Sequence, residues 1–171
     1  MATKRKFAED TIVTVERSQE EAKKLLRKYG ADQIRVTEAS DHTRLEFRLS
    51  EWVIRFDVSA PDPGDTSLEY TRSGQWRPVS QRAAARQREY QRRFRALILR
   101  LKAKLEAVSS DDVLVTEEFL GQIVIGPQGE TIAELVVHQL EEAKQTGRVP
   151  ELLPVVTDRA LPLYMAQEEE R

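Results

Sequence analysis

The feature that most constrains this chain is an apolar stripe that continues through about five turns of helix near its centre. Its members recur at spacings of three and four residues, so they share one face of a helix. The stripe consists of Tyr90, Phe94, Leu97, Leu101, Leu105 and Val108. With Ser80 as the N-cap, the pattern predicts a helix from Gln81 to Val108, which would be about 42 Å long.

Such a stripe has to be buried, and the sequence leaves two ways open. It can pack on a sheet of the same chain, which we favour for Leu97–Val108, or pair with a second copy in an antiparallel homo-oligomer. The first two turns, Gln81–Glu89, carry little apolar surface. We therefore expect these turns to project from the body or to bind a partner.

Positive charge is concentrated on the same predicted helix. Residues 81–104 contain nine basic residues and one acidic residue, Glu89. Residues 1–80 balance 14 basic against 14 acidic residues, whereas residues 105–171 hold four basic and fourteen acidic residues. The net charge of −2 therefore conceals a basic segment followed by an acidic one. This separation of basic and acidic residues along the chain is evidence about binding partners and not about the fold.

The first 79 residues predict a sheet with one covering helix. Ser18 and Glu21 have the spacing of a capping box, and Gly30 follows the apolar period as a helix-ending residue. Only Ser50 and Glu51 separate the last two strands, which predicts a tight hairpin. The predicted strands are Thr11–Val15, Gln33–Ala39, Arg44–Leu49 and Trp52–Val58. The whole is an α+β fold that begins with a β-α-β-β-β antiparallel unit.

Residues 60–78 complete this unit as a long loop with a weak strand signal at Ser67–Thr71. The predicted basic helix occupies residues 80–109, and a small C-terminal subdomain of helices and turns occupies residues 110–154. Its expected parts are a short helix capped by Thr116, a strand at Gln122–Ile125, a turn at Gly126–Gly129, and a helix from Ile132 to about Thr146. Thr131 caps this last helix, Gly147 ends it, and its apolar face consists of Ile132, Leu135, Val136, Leu140 and Ala143. Pro150 to Pro154 are expected to form an extended apolar segment that packs back on the body. Residues 155–171 show no period and form a tail, of which Glu168–Arg171 are expected to be frayed.

The sequence also predicts a compartment. The chain has no cysteine, which excludes disulfides and thiol nucleophiles and fits a reducing environment. No apolar run reaches the roughly 18 residues that span a bilayer. The basic start, Met1–Lys6, is not followed by an apolar stretch, so it does not predict a signal peptide. We expect a cytoplasmic protein without membrane contact.

Catalytic chemistry has little support, and we predict no enzyme, metal or cofactor. His42 and His138 are far apart in the sequence. The acidic doublets, such as Glu117 and Glu118, are sequence neighbours that point apart on a helix, so they do not predict converging ligands. The Gly126–Gly129 turn lacks the basic residues of a phosphate or RNA clamp and is interpreted as a plain turn.

Several short motifs resemble a family of small phage and prophage proteins over most of residues 11–154. These are Leu25–Gly30, the Arg-rich stretch leading into Lys102–Glu106, Glu118–Leu120, Gly129-x-Thr131 and Gly147-Arg148-x-Pro150-x-Leu152-Leu153-Pro154. The resemblance implies a phage-encoded protein, made in a bacterial cytoplasm, that serves phage DNA metabolism or host takeover. The family has no assigned activity, so it implies no catalytic residues.

The basic helix supplies the candidate binding residues. Arginine grips phosphate with two parallel N–H donors, and binding releases counterions. Basic residues four apart repel one another on an isolated helix, so an anion is expected to compensate. Trp76 and Tyr90 would stack on bases if they are exposed. The basic candidates are Arg72, Arg77, Arg82, Arg86, Arg88, Arg92, Arg93, Arg95, Arg100, Lys102 and Lys104.

Three anions fit this helix, and they lead to different functions. Nucleic acid would make the chain an accessory protein that binds DNA or RNA without sequence preference, which is our first hypothesis. An acidic host protein would make it an inhibitor or adaptor, which is the second. The acidic C-terminal third of the chain would make the charge purely structural. An enzyme of unrecognised type ranks behind these.

Overall fold

The computed structural model of the chain describes residues 13–71, 73–110 and 112–147, with every side chain in them except those of Ser67 and His138. This part has an α+β fold, as predicted. The strands are β1 (Asp32–Glu38), β2 (His42–Leu49) and β3 (Trp52–Ser59), and the α-helices are α1 (Val15–Lys28), α2 (Val79–Ser109), α3 (Val115–Phe119) and α4 (Ile132–Thr146). Short 3-10 helices occur at Thr66–Glu69 and Leu120–Gln122.

The sheet has three antiparallel strands in the order β1-β2-β3 over the described residues. The alternation predicted for β2 is confirmed, because Leu45, Phe47 and Leu49 are buried while the residues between them are only partly so. Ser50 and Glu51 form the predicted hairpin. Ser50 adopts a φ of 55°, which the tight turn imposes on a residue that is not a preferred turn former.

The predicted strand at Thr11–Val15 is wrong for the residues that the structure describes, because Val15 already begins α1. Thr14 is the N-cap, and its side-chain oxygen accepts from the backbone N–H of Arg17 at 3.3 Å. Ser18, the predicted cap, is buried inside the helix, where its hydroxyl donates to the carbonyl of Thr14 at 3.0 Å. The helix begins a turn early because Val15 extends its buried side. Residues 11 and 12 lie outside the described part.

The core lies between one face of the sheet and the helices α1 and α2. The stripe of α2 is buried from Phe94 to Leu105, which confirms that it packs within its own chain. Tyr90 and Val108, at the ends of the stripe, are half-buried against the same core. Since these side chains are already covered, self-association through α2 would have to use its exposed side.

The N-terminal end of α2 differs from the prediction. The helix begins at Val79 with Pro78 as the N-cap and not Ser80, because the N–H of Gln81 already donates to the carbonyl of Pro78 at 2.9 Å. The first two turns do not project: Ala85 is buried, and Arg82 binds the loop that precedes the helix.

That loop, residues 60–78, contains no strand at Ser67–Thr71. Thr66–Glu69 form a 3-10 helix, and Tyr70 makes a single bridge to Trp76.

The C-terminal subdomain follows the prediction in α4, in the presence of the short helix α3, and in the turn at Gly126–Gly129, where the N–H of Gly129 donates to the carbonyl of Gly126 at 2.9 Å. Thr131 caps α4 in a capping box with Glu134, and Gly147 ends it with a φ of 69°. Leu140, predicted to face the core, is 50% exposed, so the apolar side of α4 is incompletely covered.

The two smaller predicted elements of this subdomain are corrected. The cap position of α3 is Leu114 and not Thr116; the carboxylate of Glu117 accepts from the backbone N–H of Leu114 at 3.0 Å and so performs the capping. The predicted strand at Gln122–Ile125 is reduced to isolated bridges, because the chain leaves β3 after one pairing between Ile123 and Ile54.

The subdomain is fixed to the sheet at two places. Phe119 is fully buried between Phe47 and Phe56, with ring centroids 6.3 Å from each. On the other face of the sheet, buried Arg55 donates to the carbonyl of Gly129 and pairs with Glu134. The predicted extended segment at residues 150–154 and the tail at residues 155–171 lie outside the described part. No helix in the described ranges is long and apolar enough to cross a membrane.

Candidate anion-binding groove

Five of the nine basic residues predicted on α2 form ion pairs with the chain's own carboxylates. These pairs are Arg82 with Glu69 at 2.8 Å, Arg92 and Arg93 with a shared Glu89 at 2.7 Å and 3.3 Å, Arg95 with Glu21, and Lys104 with Glu118 at 3.0 Å. Only Glu118 belongs to the acidic C-terminal third. One interpretation of the sequence required the acidic C-terminal third to neutralise the helix. Within the described residues it does not do so.

Four basic residues of α2 have no ion pair within the described part of the chain: Arg86, Arg88, Arg100 and Lys102. Arg88, Arg100 and Lys102 are exposed, and Arg86 is half-buried. The internal compensation is thus partial, and positive charge remains on the surface of α2.

Together with Arg93 and Arg95, these four residues form two rows along the helix. Arg86, Arg93 and Arg100 are each seven residues apart, as are Arg88, Arg95 and Lys102. Seven residues make nearly two turns, so each row follows one side of α2 with about 10.5 Å between successive positions. The first row spans about 21 Å. We call Arg86, Arg93 and Arg100 the groove row and Arg88, Arg95 and Lys102 the outer row.

Two members of the groove row, Arg93 and Arg100, line a recess of about 330 Å³ between α2 and the end of β3. Arg86 lies about two helical turns before Arg93 and is not part of this lining. The lining includes three guanidinium groups and one carboxylate. The lining residues are Asp57, Val58, Ser59, Arg92, Arg93, Ala96, Leu97 and Arg100. Ala96, between Arg93 and Arg100 in the sequence, contributes only a methyl group to this lining.

The recess exists because β3 is an edge strand that is covered over only half its length. The C-terminal segment covers the first half, where Val124 donates to the carbonyl of Val53 at 2.9 Å. At the other end, Arg93 reaches across from α2 and donates to the carbonyl of Ser59 at 2.8 Å. The edge at Asp57–Ser59 therefore faces α2 across open space.

The electrostatic balance of the recess is positive. Its one carboxylate, Asp57, is held by Arg44 at 2.9 Å and lies 3.1 Å from Arg55, so two cations compensate it. The hydrogen bond to Asp57 raises the pKa of Arg44, and the nearby carboxylates of other residues add to this. Glu89 is shared by Arg92 and Arg93 at 2.7 Å and 3.3 Å.

Arg100 is placed by an aromatic ring and not by a carboxylate. Its guanidinium carbon lies 5.0 Å from the centroid of Phe56. Burial of part of the side chain lowers the pKa of Arg100, but an arginine remains charged at neutral pH. The position therefore keeps a full positive charge at the mouth of the recess.

Two further candidate residues, Arg77 and Trp76, lie just before the start of α2. Arg77 donates to the carbonyls of Leu68 and Tyr70 at 3.1 Å and 3.2 Å, so its guanidinium holds the loop. Trp76 is 56% exposed, and the guanidinium carbon of Arg82 lies 4.6 Å from its ring centroid. Arg72 lies outside the described residues.

Tyr90 does not have the role that the sequence suggested. It is half-buried, its hydroxyl is hydrogen-bonded to that of Thr43 at 2.6 Å, and its ring meets Phe94 edge to face. It is therefore part of the core and not an exposed stacking surface. Sequence reasoning missed Tyr70, which is 46% exposed beside Trp76, because no helical or strand period marks this loop.

No group of three or more metal-binding side chains occurs among the residues that the structure describes. His42 instead lies 2.8 Å from the carboxylate of its neighbour Asp41. Comparison of the chain with protein families, with curated proteins and with solved structures found no match. The resemblance to phage proteins accordingly rests on its sequence motifs and stays a prediction.

Proposed function

We propose that this protein binds nucleic acid without sequence preference and holds its phosphates along the groove row of α2. The observation that carries the proposal is the pair Arg86 and Arg100, which have no carboxylate partner in the described part of the chain and flank Arg93 on one side of the helix. Ordinary surface arginines with a purely structural role would be expected to resemble Arg82, which is engaged by Glu69.

The spacing of the row favours a repeating anion. The first and last positions of the groove row, Arg86 and Arg100, are about 21 Å apart along the helix, which is more than a single small anion can bridge. A nucleic-acid backbone presents phosphates at regular intervals and can meet all three positions in succession. Guanidinium groups bind phosphate through two parallel N–H donors, so each position is a suitable contact.

The expected affinity is modest because few phosphates are contacted. Non-specific complexes of this kind have dissociation constants of about 10⁻⁴ to 10⁻⁶ M at physiological salt. About three contacts give a slope of roughly −2 in a plot of log K against log salt for a single strand. No side chain in the row is placed by the fold to distinguish one base from another, so no sequence preference is part of the proposal.

The cellular setting of the proposal comes from the resemblance in the sequence. It is that of a phage-type accessory protein in a bacterial cytoplasm, acting in phage DNA metabolism or host takeover. An acidic host protein, the second hypothesis, would meet the same cations of α2.

A titration of fluorescently labelled mixed-sequence DNA and RNA, followed by anisotropy at about 50 and about 200 mM salt, tests the proposal. Polyglutamate serves as a carboxylate competitor of matched charge. Binding that weakens with salt and is displaced poorly by polyglutamate supports nucleic acid. An absence of binding at the lower salt concentration contradicts the proposal. If polyglutamate displaces the labelled strand as well as unlabelled nucleic acid does, the result favours an acidic protein as the ligand of the site.

A further inference from the structure

Two exposed aromatic rings stand near the start of α2, where one of them contacts Arg82. Tyr70 and Trp76 face each other across a small loop, with ring centroids 5.1 Å apart and planes at 85°. The loop is closed by a bridge between these two residues, and the N–H of Thr71 donates to the carbonyl of Gln75 at 2.7 Å. About half of each ring is exposed to solvent.

The aromatic pair is held in place by arginines. Arg77 donates to the carbonyl of Tyr70, and Arg82 lies against the ring of Trp76 while it pairs with Glu69. The rings are therefore ordered before any ligand arrives, so a ligand that binds them loses little additional entropy in fixing them. Apolar rings that are fixed and still exposed are typical of a binding surface.

The pair is continuous with the groove row. Arg82, which touches Trp76, is one turn of α2 before Arg86. From Arg82 to Arg100 the helix rises about 27 Å. A ligand that follows this side of α2 thus meets aromatic rings at one end and guanidinium groups along the rest.

We propose that the nucleic acid bound by this protein is single-stranded, with a base stacked on Trp76 and the following phosphates on the groove row. The inference rests on the proposed function and specifies its ligand. In a duplex the bases are stacked on each other and cannot lie on an indole ring, whereas a single strand offers them freely. A duplex is also convex and touches a recess of about 330 Å³ only at its rim, while one strand can enter it.

The two proposals make different demands on Trp76. Phosphate binding alone depends on charge and should not respond to removal of an aromatic ring. Stacking of one base contributes enough that its loss should weaken single-strand binding by about tenfold. Trp76→Leu removes the ring but keeps an apolar side chain, and Trp76→Phe keeps a ring. Leu120→Ala is the matched control, because Leu120 is similarly exposed at 53% in the 3-10 helix at Leu120–Gln122.

The experiment measures the affinity of each variant for one oligonucleotide as a single strand and as its duplex, together with quenching of tryptophan fluorescence. We expect the native chain to prefer the single strand, Trp76→Leu to lose about tenfold on the single strand only, and Trp76→Phe to keep most of the affinity. Leu120→Ala should change neither affinity. Quenching should disappear in Trp76→Leu, which retains Trp52 as its remaining tryptophan.

Two results would overturn the inference while leaving the proposed function standing. These are equal affinity for the single strand and the duplex, and unchanged single-strand affinity in Trp76→Leu. Failure of the proposed function looks different, because the native chain would then bind neither form at low salt. Circular dichroism of each variant identifies any loss of affinity that comes from unfolding. If Trp76→Leu does not fold, the affinity of the native chain for the single strand against its duplex decides the question.

Discussion

Arg100 lies over the face of Phe56, with its guanidinium carbon 5.0 Å from the ring centroid, and has no carboxylate partner among the described residues. Phe56 is itself buried in the core. A ring attracts a cation through its quadrupole without neutralising it. The pair therefore fixes the direction of a surface arginine and leaves its charge available to an anion, which a salt bridge would not do.

This relationship makes a prediction about stability. Replacing Arg100 by Gln should lower the free energy of unfolding by about 1 kcal/mol, since only the contact of a surface guanidinium with one ring is lost. Urea denaturation of the variant and of the native chain measures the difference. A loss several times larger would show that Arg100 has a structural role and would remove it from the groove row as a binding residue.

Phe119 is predicted to be the main contact that fixes α3 to the sheet. It is fully buried and meets the rings of Phe47 and Phe56 edge to face. Phe119→Ala should cost about 3–5 kcal/mol, because it removes apolar contacts and leaves a cavity. The exposed neighbour Leu120, changed to Ala, should cost less than about 0.5 kcal/mol. Similar denaturation midpoints for the two variants would show that α3 is not held by this ring.

Gly30 is needed for its backbone conformation. It ends α1 with a φ of 80°, and a methyl group at its Cα would meet no atom within 4 Å. Gly30→Ala should therefore lose about 1–2 kcal/mol from backbone strain alone. Gly121→Ala is the control, since its added methyl would make an ordinary contact of 3.5 Å with Ala133 and its φ is not positive. Thermal unfolding that is equally affected in both variants would contradict this.

Glu134 predicts a dependence of stability on pH. Desolvation raises its pKa, but the hydrogen bond to the backbone of Thr131 and the charge of Arg55 outweigh this, so the pKa is lowered from its ordinary value of 4.5. A carboxylate that is more acidic when folded stabilises the fold above its unfolded pKa, and this contribution is lost as the pH falls through the folded pKa. Glu134→Gln removes the charge while it keeps the size of the side chain.

The difference in unfolding free energy between the native chain and Glu134→Gln should thus be constant above about pH 5 and shrink at lower pH. Loss of the charged partner of Arg55 predicts a difference of about 1 kcal/mol at neutral pH, since the amide oxygen of Gln can still accept from the backbone N–H of Thr131. Urea denaturation across the acid range measures it. A difference that does not change with pH would mean that the charge of Glu134 contributes nothing.

Elements with local signals could be predicted from the sequence, and α4 shows why. Thr131 and Gly147 are a cap residue and a glycine at the ends of one apolar period, and both act as predicted. The start of α1 could not be decided in the same way, because Thr14 and Ser18 are both good caps. Burial of Ser18 against the core decides between them, and that depends on contacts with distant parts of the chain.

The candidate site was predictable in its charge but not in its geometry. The sequence located the cations of α2, but which of them stay unpaired depends on distant carboxylates: Glu21 is 74 residues from its partner Arg95. The recess depends on the edge of β3, which is covered over only half its length. The position of the Arg100 guanidinium depends on its contact with the ring of Phe56, which is distant in the sequence. None of these relationships has a local pattern in the sequence.

The central claim, that the groove row binds phosphate, is tested most directly by two variants with the same charge. Arg86→Gln/Arg100→Gln removes two unpaired cations from the groove row, and Arg88→Gln/Lys102→Gln removes two unpaired cations from the outer row at the same spacing of fourteen residues. The measurement is the slope of log K against log salt for a labelled single strand. The account predicts a slope that is smaller by about 1 or more for the first variant and nearly unchanged for the second. Equal slopes in the two variants would contradict it.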